Sequence, residues 1–255
     1  SDAQVFYSQE IPIAPLDEYI AKKDAEGIKM SYMAIIYASL VRIIAEKPLI
    51  NRFVMNGKIY ARNSIDISLV IKKGMSETAD ETPLKLHFDG SENIFDIRNR
   101  LEQTIIQNKE VTAENATDKL AKTLSFVPSW LIKFIVNFLM FLDRHDLLPK
   151  FIIEASPFHT SAFLTNVGSL GIDSIYHHLY DFGTTGVFLA MGKKKKSLIN
   201  VDEALAEEKT LSLRWVLDER ICDGYYYANA VKLFNKYMKR PELLEANIEP
   251  VKDIK

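Results

Sequence analysis

A group of potentially reactive side chains lies near the end of the chain, in the stretch Leu217–Tyr225, which reads LDERICDGY. It places the carboxylate of Glu219 shortly before an Asp-Gly pair, Asp223 and Gly224, and a helix is predicted to follow. A glutamate can act as a general base, but an unperturbed glutamate has a pKa of about 4.3, against about 6.5 for histidine. It is therefore poorly matched to a thiol or alcohol proton unless burial raises its pKa.

Two further features of the sequence could supply reactive groups. Cys222 could be a thiol nucleophile, although a lone cysteine among apolar residues is more often a small core residue. His177 and His178 could supply a base, but adjacent histidines point in different directions and have surface or packing roles more often.

The run Lys193–Lys196 predicts an exposed turn directly after a strand.

Composition narrows the class of protein. The chain has 255 residues, 47% of them hydrophobic, and a formal net charge of −2, which argues against broad nucleic-acid binding. The single cysteine excludes an internal disulfide and a cysteine-cluster metal site, and no metal ligand set is predicted. No signal peptide opens the sequence, and the longest apolar run, Trp130–Leu142, is too short to span a membrane. We therefore expect a cytoplasmic protein.

The order of predicted elements favours an α+β fold, an α/β sandwich with a mixed sheet and packed helices. The strands are not regularly alternated with helices, and no internal repeat is found. The predicted strands are Gln4–Ile13, a hairpin over Arg52–Ala61 turning at Asn56-Gly57, Ile65–Ile71, Pro83–Phe88, Ser161–Asn166, Thr185–Met191 and Thr210–Leu217. The predicted helices are Leu16–Ala25, a buried helix over Ser31–Ala45, one whose apolar stripe is Ile94, Ile97, Leu101 and Ile105, two segments after the polar stretch Glu110–Asp118, and Tyr225–Met238.

The stretch around Glu219 resembles the His-x-x-x-Asp-Gly signature of CoA-dependent acyltransferases related to chloramphenicol acetyltransferase and to the acyltransferase component of 2-oxo-acid dehydrogenase complexes. Glu219 stands where that family has its histidine. Other stretches match in order and cover most of the chain. They are Val5–Lys22, the passage Pro48–Phe53 with the helix before it and the hairpin after it, Ile65–Lys73, Leu164–Gly171, which is similar to a Ser-Asn-Leu-Gly stretch, and Gly186–Lys193, which ends in Met-Gly-Lys as in chloramphenicol acetyltransferase.

The resemblance implies a chloramphenicol acetyltransferase-like fold assembled as a homotrimer, with active sites between subunits. Thr165 matches a hydroxyl that stabilises the oxyanion, although a threonine there could instead satisfy local backbone. Lys193 matches a lysine that meets a phosphate of CoA. Asp223 and Gly224 match the structural end of the motif, where the aspartate anchors the loop and the glycine permits the turn into the helix.

Arg220 and Asn166 are assigned structural roles within the same motifs. No cofactor is expected to be bound permanently, and CoA or acyl-CoA is the expected substrate. The catalytic set implied by the resemblance is therefore Glu219, Thr165 and Asp223.

Two departures from the family pattern accompany the resemblance. No lipoyl or subunit-binding segment precedes the domain, so we expect a protein other than a standard dehydrogenase-complex component. Between about residues 110 and 158 the chain is longer and more helical than the family, which predicts a helical insertion in a single domain over 1–255. The apolar helix in this insertion, from Trp130 to Leu142, is predicted to cover the core or a trimer contact. An acyl-chain pocket and a membrane-surface contact are the alternatives.

Two functions are consistent with these observations. The first is an acyltransferase of this family that uses acyl-CoA, with its activity altered or lost because Glu219 replaces the histidine, unless Glu219 or a histidine of the His177-His178 loop serves as base. The second is a non-catalytic homotrimer that keeps the fold for binding or scaffolding. The sequence names neither the acyl group nor the acceptor.

Overall fold

The computed structural model describes residues 3–72, 81–109, 128–201 and 204–253. Its strands are β1 (Gln4–Pro12), β2 (Arg52–Met55), β3 (Lys58–Ala61), β4 (Ile65–Lys72), β5 (Glu81–Phe88), β6 (Ala162–Asn166), β7 (Val187–Val201) and β8 (Ala204–Asp218). Its helices are α1 (Ala14–Ala25), α2 (Tyr32–Glu46), α3 (Ile94–Lys109), α4 (Ser129–Arg144), α5 (Lys150–Ala155) and α6 (Gly224–Lys239).

Six of these strands form one mixed sheet in the order β1-β8-β7-β6-β4-β5. The β4–β6 and β6–β7 pairs are parallel, and the β1–β8, β7–β8 and β4–β5 pairs are antiparallel. Strands β2 and β3 form a separate hairpin. The predicted α+β class with a mixed sheet and packed helices is confirmed.

The main core lies between the sheet and the helices on one of its faces. Helix α2 is apolar almost all round and is buried from Ala34 to Ala45, as predicted from its sequence. Ser31 caps it, because its hydroxyl accepts a hydrogen bond from the backbone N–H of Ala34 at 3.2 Å. On β8, the fully buried Trp215 meets Phe234 of α6 edge to face, with 5.0 Å between the ring centroids. A smaller cluster around Phe163 and Phe188 covers the opposite face of the sheet.

The hairpin turns where the sequence predicts it. Asn56 and Gly57 both have positive φ, 50° and 72°, and they connect Met55 to its partner Lys58. Positive φ at both central residues defines a type I′ turn, the geometry that Asn-Gly favours because its twist matches that of the strands.

Strands β7 and β8 are longer than predicted, and this changes the interpretation of the lysine run. Lys193–Lys196 lies inside β7, at and after a register shift between Met191 and Lys194, so the predicted turn after a strand is wrong. The hydrogen-bonded ladder continues past this shift, and Lys195 and Lys196 lie beside acidic side chains. Lys195 binds Glu10 at 2.9 Å and Lys196 binds Glu207 at 2.6 Å. Contacts between strands therefore offset the positive charge of this lysine-rich stretch.

Helix α4 is much more exposed than predicted. The only buried residue of α4 is Asp143 at its end, so the helix does not cover the core. The predicted trimer contact and its alternatives stay predictions. Across the described ranges, no helix combines the length and apolar character needed to cross a membrane. The polar stretch Glu110–Asp118 lies outside the described residues, and the single domain with a helical insertion stays a prediction.

A set of buried hydrogen bonds attaches the end of α4 to the segments that precede β6 and β7. The Asp143 carboxylate contacts His159 Nε2 at 2.8 Å and accepts a hydrogen bond from the backbone N–H of Gly183 at 2.8 Å. His159 Nδ1 in turn lies 2.8 Å from the hydroxyl of Ser156. Asp143, Ser156 and His159 are all buried, so these contacts satisfy polar groups that water does not reach.

Replacing this buried carboxylate should destabilise the protein. We expect Asp143→Ala to lower the free energy of unfolding by about 2–4 kcal/mol. The reason is that His159 Nε2 and the backbone N–H of Gly183 both lose their hydrogen-bond partner. Glu154→Ala, which removes an exposed carboxylate of α5, is the control and should have an effect within about 0.5 kcal/mol. Urea denaturation followed by circular dichroism measures both. Equal stability of the two variants would contradict the role given to Asp143.

Candidate functional site

The loop between β8 and α6 carries Glu219, the residue that the sequence predicts to replace the histidine of the motif. Glu219 is exposed, and its backbone N–H donates to the carbonyl of Ala3 at 2.9 Å. It borders a pocket of about 320 Å³ whose walls are mainly apolar and come from β1, β8 and α6. Residues 219–224 together with this pocket are called here the β8 half-site.

Three contacts fix the conformation of this loop. Arg220 forms a two-point ion pair with the buried Asp218, at 2.8 Å and 2.7 Å, and this contact raises the pKa of the guanidinium. The hydroxyl of Tyr227 donates to the backbone carbonyl of Asp218 at 2.7 Å. Asp223 caps α6 by accepting a hydrogen bond from the backbone N–H of Tyr226 at 2.8 Å. Asp223 therefore anchors the start of the helix, and Arg220 holds the loop to Asp218 at the end of β8.

Gly224 does not have the backbone role that the sequence predicted. It is the first residue of α6, its φ lies outside the positive range, and a Cβ there would meet nothing within 4 Å. The expectation that the turn into the helix requires glycine is therefore wrong. The absent side chain instead leaves open space beside Glu219 in the same pocket.

The second set of predicted residues lies at the end of β6. Thr165 is half-buried and pairs with Ala190 of β7. The carbonyl oxygen of the Asn166 side chain accepts from the backbone N–H of Ser169 at 3.2 Å and so caps the short 3₁₀ turn that follows. That turn packs closely on β7, since a Cβ on Gly168 would lie 2.2 Å from the carbonyl oxygen of Gly192. Residues 165–169 and Lys193 are called here the β6 half-site.

Lys193 differs from the other lysines of its run in its surroundings. Lys195 and Lys196 form ion pairs, and Lys194 lies over the ring of Tyr32, 4.1 Å from its centroid. Lys193 is exposed at a pocket of about 280 Å³ that Asn166 also lines. Tyr32 forms part of the same pocket, and no local sequence signal connected it with the lysine run.

Strand register separates the two half-sites within one chain. Thr165 is level with Ala190, and Ala190 is level with Arg214 of β8. Glu219 lies beyond the end of β8, further along the strand from Arg214. With about 3.4 Å per residue and 4.8 Å per strand, Thr165 and Glu219 are about 20 Å apart. A single chain therefore does not bring the two residues together.

His177 lies on the sheet face that carries Phe163 and Phe188. Its ring stacks on Phe188 with 4.3 Å between centroids, and its Nδ1 lies 3.3 Å from the carbonyl oxygen of Ile175. Because a carbonyl only accepts, Nδ1 carries the proton and Nε2 keeps its lone pair in the neutral ring. Burial lowers the pKa of His177, which favours this neutral form. His178 is exposed and meets the ring of Tyr180.

Cys222 is poorly suited to be a nucleophile. Its thiol is half-buried beside Arg52 and Tyr227, and burial raises the pKa of Cys222 to about 12. Since the thiolate is the reactive form of cysteine, this side chain is neutral and unreactive near pH 7.

Comparison with known proteins identifies a family to which part of the chain is similar. Residues 158–246 match the model of a family described as 2-oxoacid dehydrogenases acyltransferase (catalytic domain). The predicted family resemblance is confirmed. The matched segment of this acyltransferase-like chain includes Thr165, Lys193 and Glu219, which come from both half-sites. No curated protein matches the chain significantly.

Solved structures show that the acyltransferase fold extends over almost the whole chain. A probable dihydrolipoamide acetyltransferase from Listeria monocytogenes has a TM-score of 0.64 and 14% identity, covering 93% of this chain and 84% of its own. The dihydrolipoamide acetyltransferase of Azotobacter vinelandii has a TM-score of 0.61 and 11% identity, with 94% and 83% covered. A chloramphenicol acetyltransferase has a TM-score of 0.54 and 11% identity, with 95% and 88% covered.

Two glycines of the half-sites should respond differently to a methyl group. Gly168→Ala should lower the free energy of unfolding by about 1–3 kcal/mol, because the new Cβ collides with the backbone of Gly192. Gly224→Ala should be neutral or stabilise by up to about 1 kcal/mol, because its Cβ has space and alanine favours the helix. Thermal unfolding of both variants tests this. A large loss of stability in Gly224→Ala would restore the structural role first assigned to it.

Proposed function

We propose that the protein is a homotrimeric member of the CoA-dependent acyltransferase family whose site forms where the β6 half-site of one chain meets the β8 half-site of the next. The observation that carries this proposal is the register separation of about 20 Å between Thr165 and Glu219 within one chain. Each half-site has its own pocket on the surface, so a head-to-tail contact between copies would complete one channel. Three such contacts close a ring.

Within this channel CoA is the proposed ligand. Lys193, exposed at the pocket of the β6 half-site, would meet a phosphate of CoA as a mobile positive charge. The hydroxyl of Thr165 would donate a hydrogen bond to the oxyanion that forms when an acyl thioester is attacked. Lys193 and Thr165 both belong to the β6 half-site, so one chain supplies both groups.

The second part of the proposal is that acyl transfer from acyl-CoA is altered or lost. In the Azotobacter vinelandii enzyme a serine, a histidine and an asparagine have been studied for their roles in the catalytic mechanism, and the last two have the spacing of Glu219 and Asp223 here. A carboxylate accepts a proton from a thiol or alcohol much less readily than an imidazole does, because its conjugate acid is stronger. We therefore infer that Glu219 is a weak substitute for the family base. In the limiting case the trimer binds CoA but catalyses no acyl transfer.

His177 is the alternative base, and a specific observation favours it. It holds a neutral imidazole with its Nε2 lone pair available, on the sheet face that β6 presents beside Phe163. If His177 is the base, the rate of acyl transfer should fall in His177→Gln and persist in His178→Gln, which changes an exposed neighbour.

The cytoplasmic location expected from the sequence stays a prediction.

Binding of CoA tests the first part of the proposal. Calorimetry should show that CoA binds the assembled protein, and Lys193→Gln should weaken binding by roughly tenfold, the effect expected for loss of one charged hydrogen bond. Lys196→Gln removes a lysine already paired with Glu207 and should leave the affinity unchanged. Absence of CoA binding to the native protein would refute the proposed channel.

Exchange of the base tests the second part. The native protein should release little thiol from acetyl-CoA with simple thiol or hydroxyl acceptors near pH 7, and Glu219→His should raise this rate, because positioned acid–base catalysis contributes about 10²–10⁴-fold. The rate of thiol release from acetyl-CoA is measured for both proteins across a pH series. Rapid native turnover that disappears in Glu219→Gln would make Glu219 a true base. An inactive Glu219→His variant would favour the binding or scaffold function.

A further inference from the structure

A groove continues from the pocket beside Glu219 along α6. The pocket of the β8 half-site has an apolar wall that includes Val5 and Tyr7 of the edge strand β1, which are 37% and 40% exposed. A second pocket of about 380 Å³ follows it and is lined by residues near the C-terminal end of α6. Lys232 and Asn235 line both pockets, so the two form one groove with Glu219 at one end.

The far end of this groove is basic. Apart from its one amide residue, the second pocket is lined by Lys232, Lys236, Lys239 and Arg240, which are all exposed. Helix α6 contains no acidic residue, and Glu242 beyond it pairs with Arg240 at 3.0 Å. No carboxylate oxygen in the described part of the chain lies within 4.0 Å of the amino groups of the three lysines. The groove therefore ends in three lysines whose charge no ion pair within the described residues offsets.

Stabilisation of the helix accounts for only part of this cluster. The C-terminal end of a helix carries a partial negative charge, so Lys236 and Lys239 in the last turn stabilise α6. That effect falls off beyond the last turn, and Lys232 lies about two turns before the end of α6. Lys232 lies instead where the apolar and basic parts of the groove join.

The geometry points to an acceptor substrate with a thiol or hydroxyl group at one end of an apolar chain and an acidic group at the other. Its reactive end lies beside Glu219 and its chain lies against Tyr7. Its acidic group lies beside Lys232 and Lys236, which are about 12 Å and 18 Å along the helix axis from Gly224. An extended chain of eleven carbons is about 14 Å long, so it reaches from one end of the groove to the other.

This inference rests on the proposed function and names the class of its acceptor. In that function CoA lies at the β6 half-site of the neighbouring chain, so the acceptor approaches through the groove of the β8 half-site. Its sulfur or oxygen gives its proton to Glu219, or to His177 as the alternative base, and forms a bond to the acyl carbonyl carbon. The bond from that carbon to the CoA sulfur breaks, and CoA takes up the proton and leaves as the thiol.

Disulfide exchange tests both the position of the chain and the preference for an acid. In a Glu219→Cys, Cys222→Ala protein, the introduced thiol attacks the mixed disulfide of mercaptoundecanoic acid and thiopyridine, and thiopyridone leaves. Its absorbance gives the rate, and mass spectrometry confirms that the chain is attached. A second reagent is identical except that its carboxylate is blocked as a neutral sugar amide. We expect the acidic reagent to react roughly tenfold faster, because charged contacts with the lysines hold it in the groove.

Matched variants locate the preference for the acid. Lys232→Gln, Lys236→Gln in the same protein should make the two rates equal, because it removes the charges at the far end of the groove. The control Lys58→Gln, Lys150→Gln also removes two exposed lysines and gives the same net charge, but it changes the first residues of β3 and α5. The control should keep the full preference.

Three results would overturn the inference. They are equal rates for the two reagents, a preference for the acid that survives Lys232→Gln, Lys236→Gln, and a preference that the control variant also loses. Calorimetry measures CoA binding by the native protein separately. If CoA binds and any of the three results is found, the proposed channel stands and only the acidic acceptor is removed. If the preference is found without CoA binding, the proposed channel is refuted, and with it the role of the acidic ligand as acceptor.

Discussion

Register between β6, β7 and β8 is the constraint on which the site depends. The ladder fixes Thr165 level with Ala190 and Arg214, and it continues without a break from Leu213 to the end of β8. Any slip by one residue would move the core side chains of these strands to the opposite face, so the buried Leu164, Leu189 and Trp215 hold the register in place. The separation of the two half-sites is thus built into the packing of the core.

Closely packed local features then give each half-site its shape. On one side, the approach of Gly168 to Gly192 fixes the turn after Thr165 and keeps Lys193 at the edge of its pocket. On the other side, the Arg220–Asp218 ion pair and the Asp223 cap hold the loop that presents Glu219. The conformation of this loop therefore depends on Arg220, Asp218 and Asp223 and not on the side chain of Glu219.

Local pattern was sufficient to predict much of the fold. The Asn56-Gly57 turn, the buried α2 and the order of strands follow from propensity and periodicity, which act over a few residues. Long-range pairings were not predictable. The charge pairs of Lys195 and Lys196, and the contact of Asp143 with His159, join residues that only the folded chain brings together. The prediction for Gly224 was wrong because the sequence does not show why a glycine stands at the start of a helix. The residue can be needed for its backbone conformation, or its missing side chain can simply leave space for neighbouring groups.

Cross-linking between copies tests the interfacial site most directly. In a Cys222→Ala background, Thr165→Cys and Glu219→Cys would be joined by a short bis-maleimide whose reach is well below the separation of about 20 Å within one chain. The account predicts covalent dimers and closed trimers in denaturing gels for the double variant, and monomers for each single variant. Monomers alone from the double variant, at a protein concentration where it is assembled, would contradict a site shared between neighbouring chains.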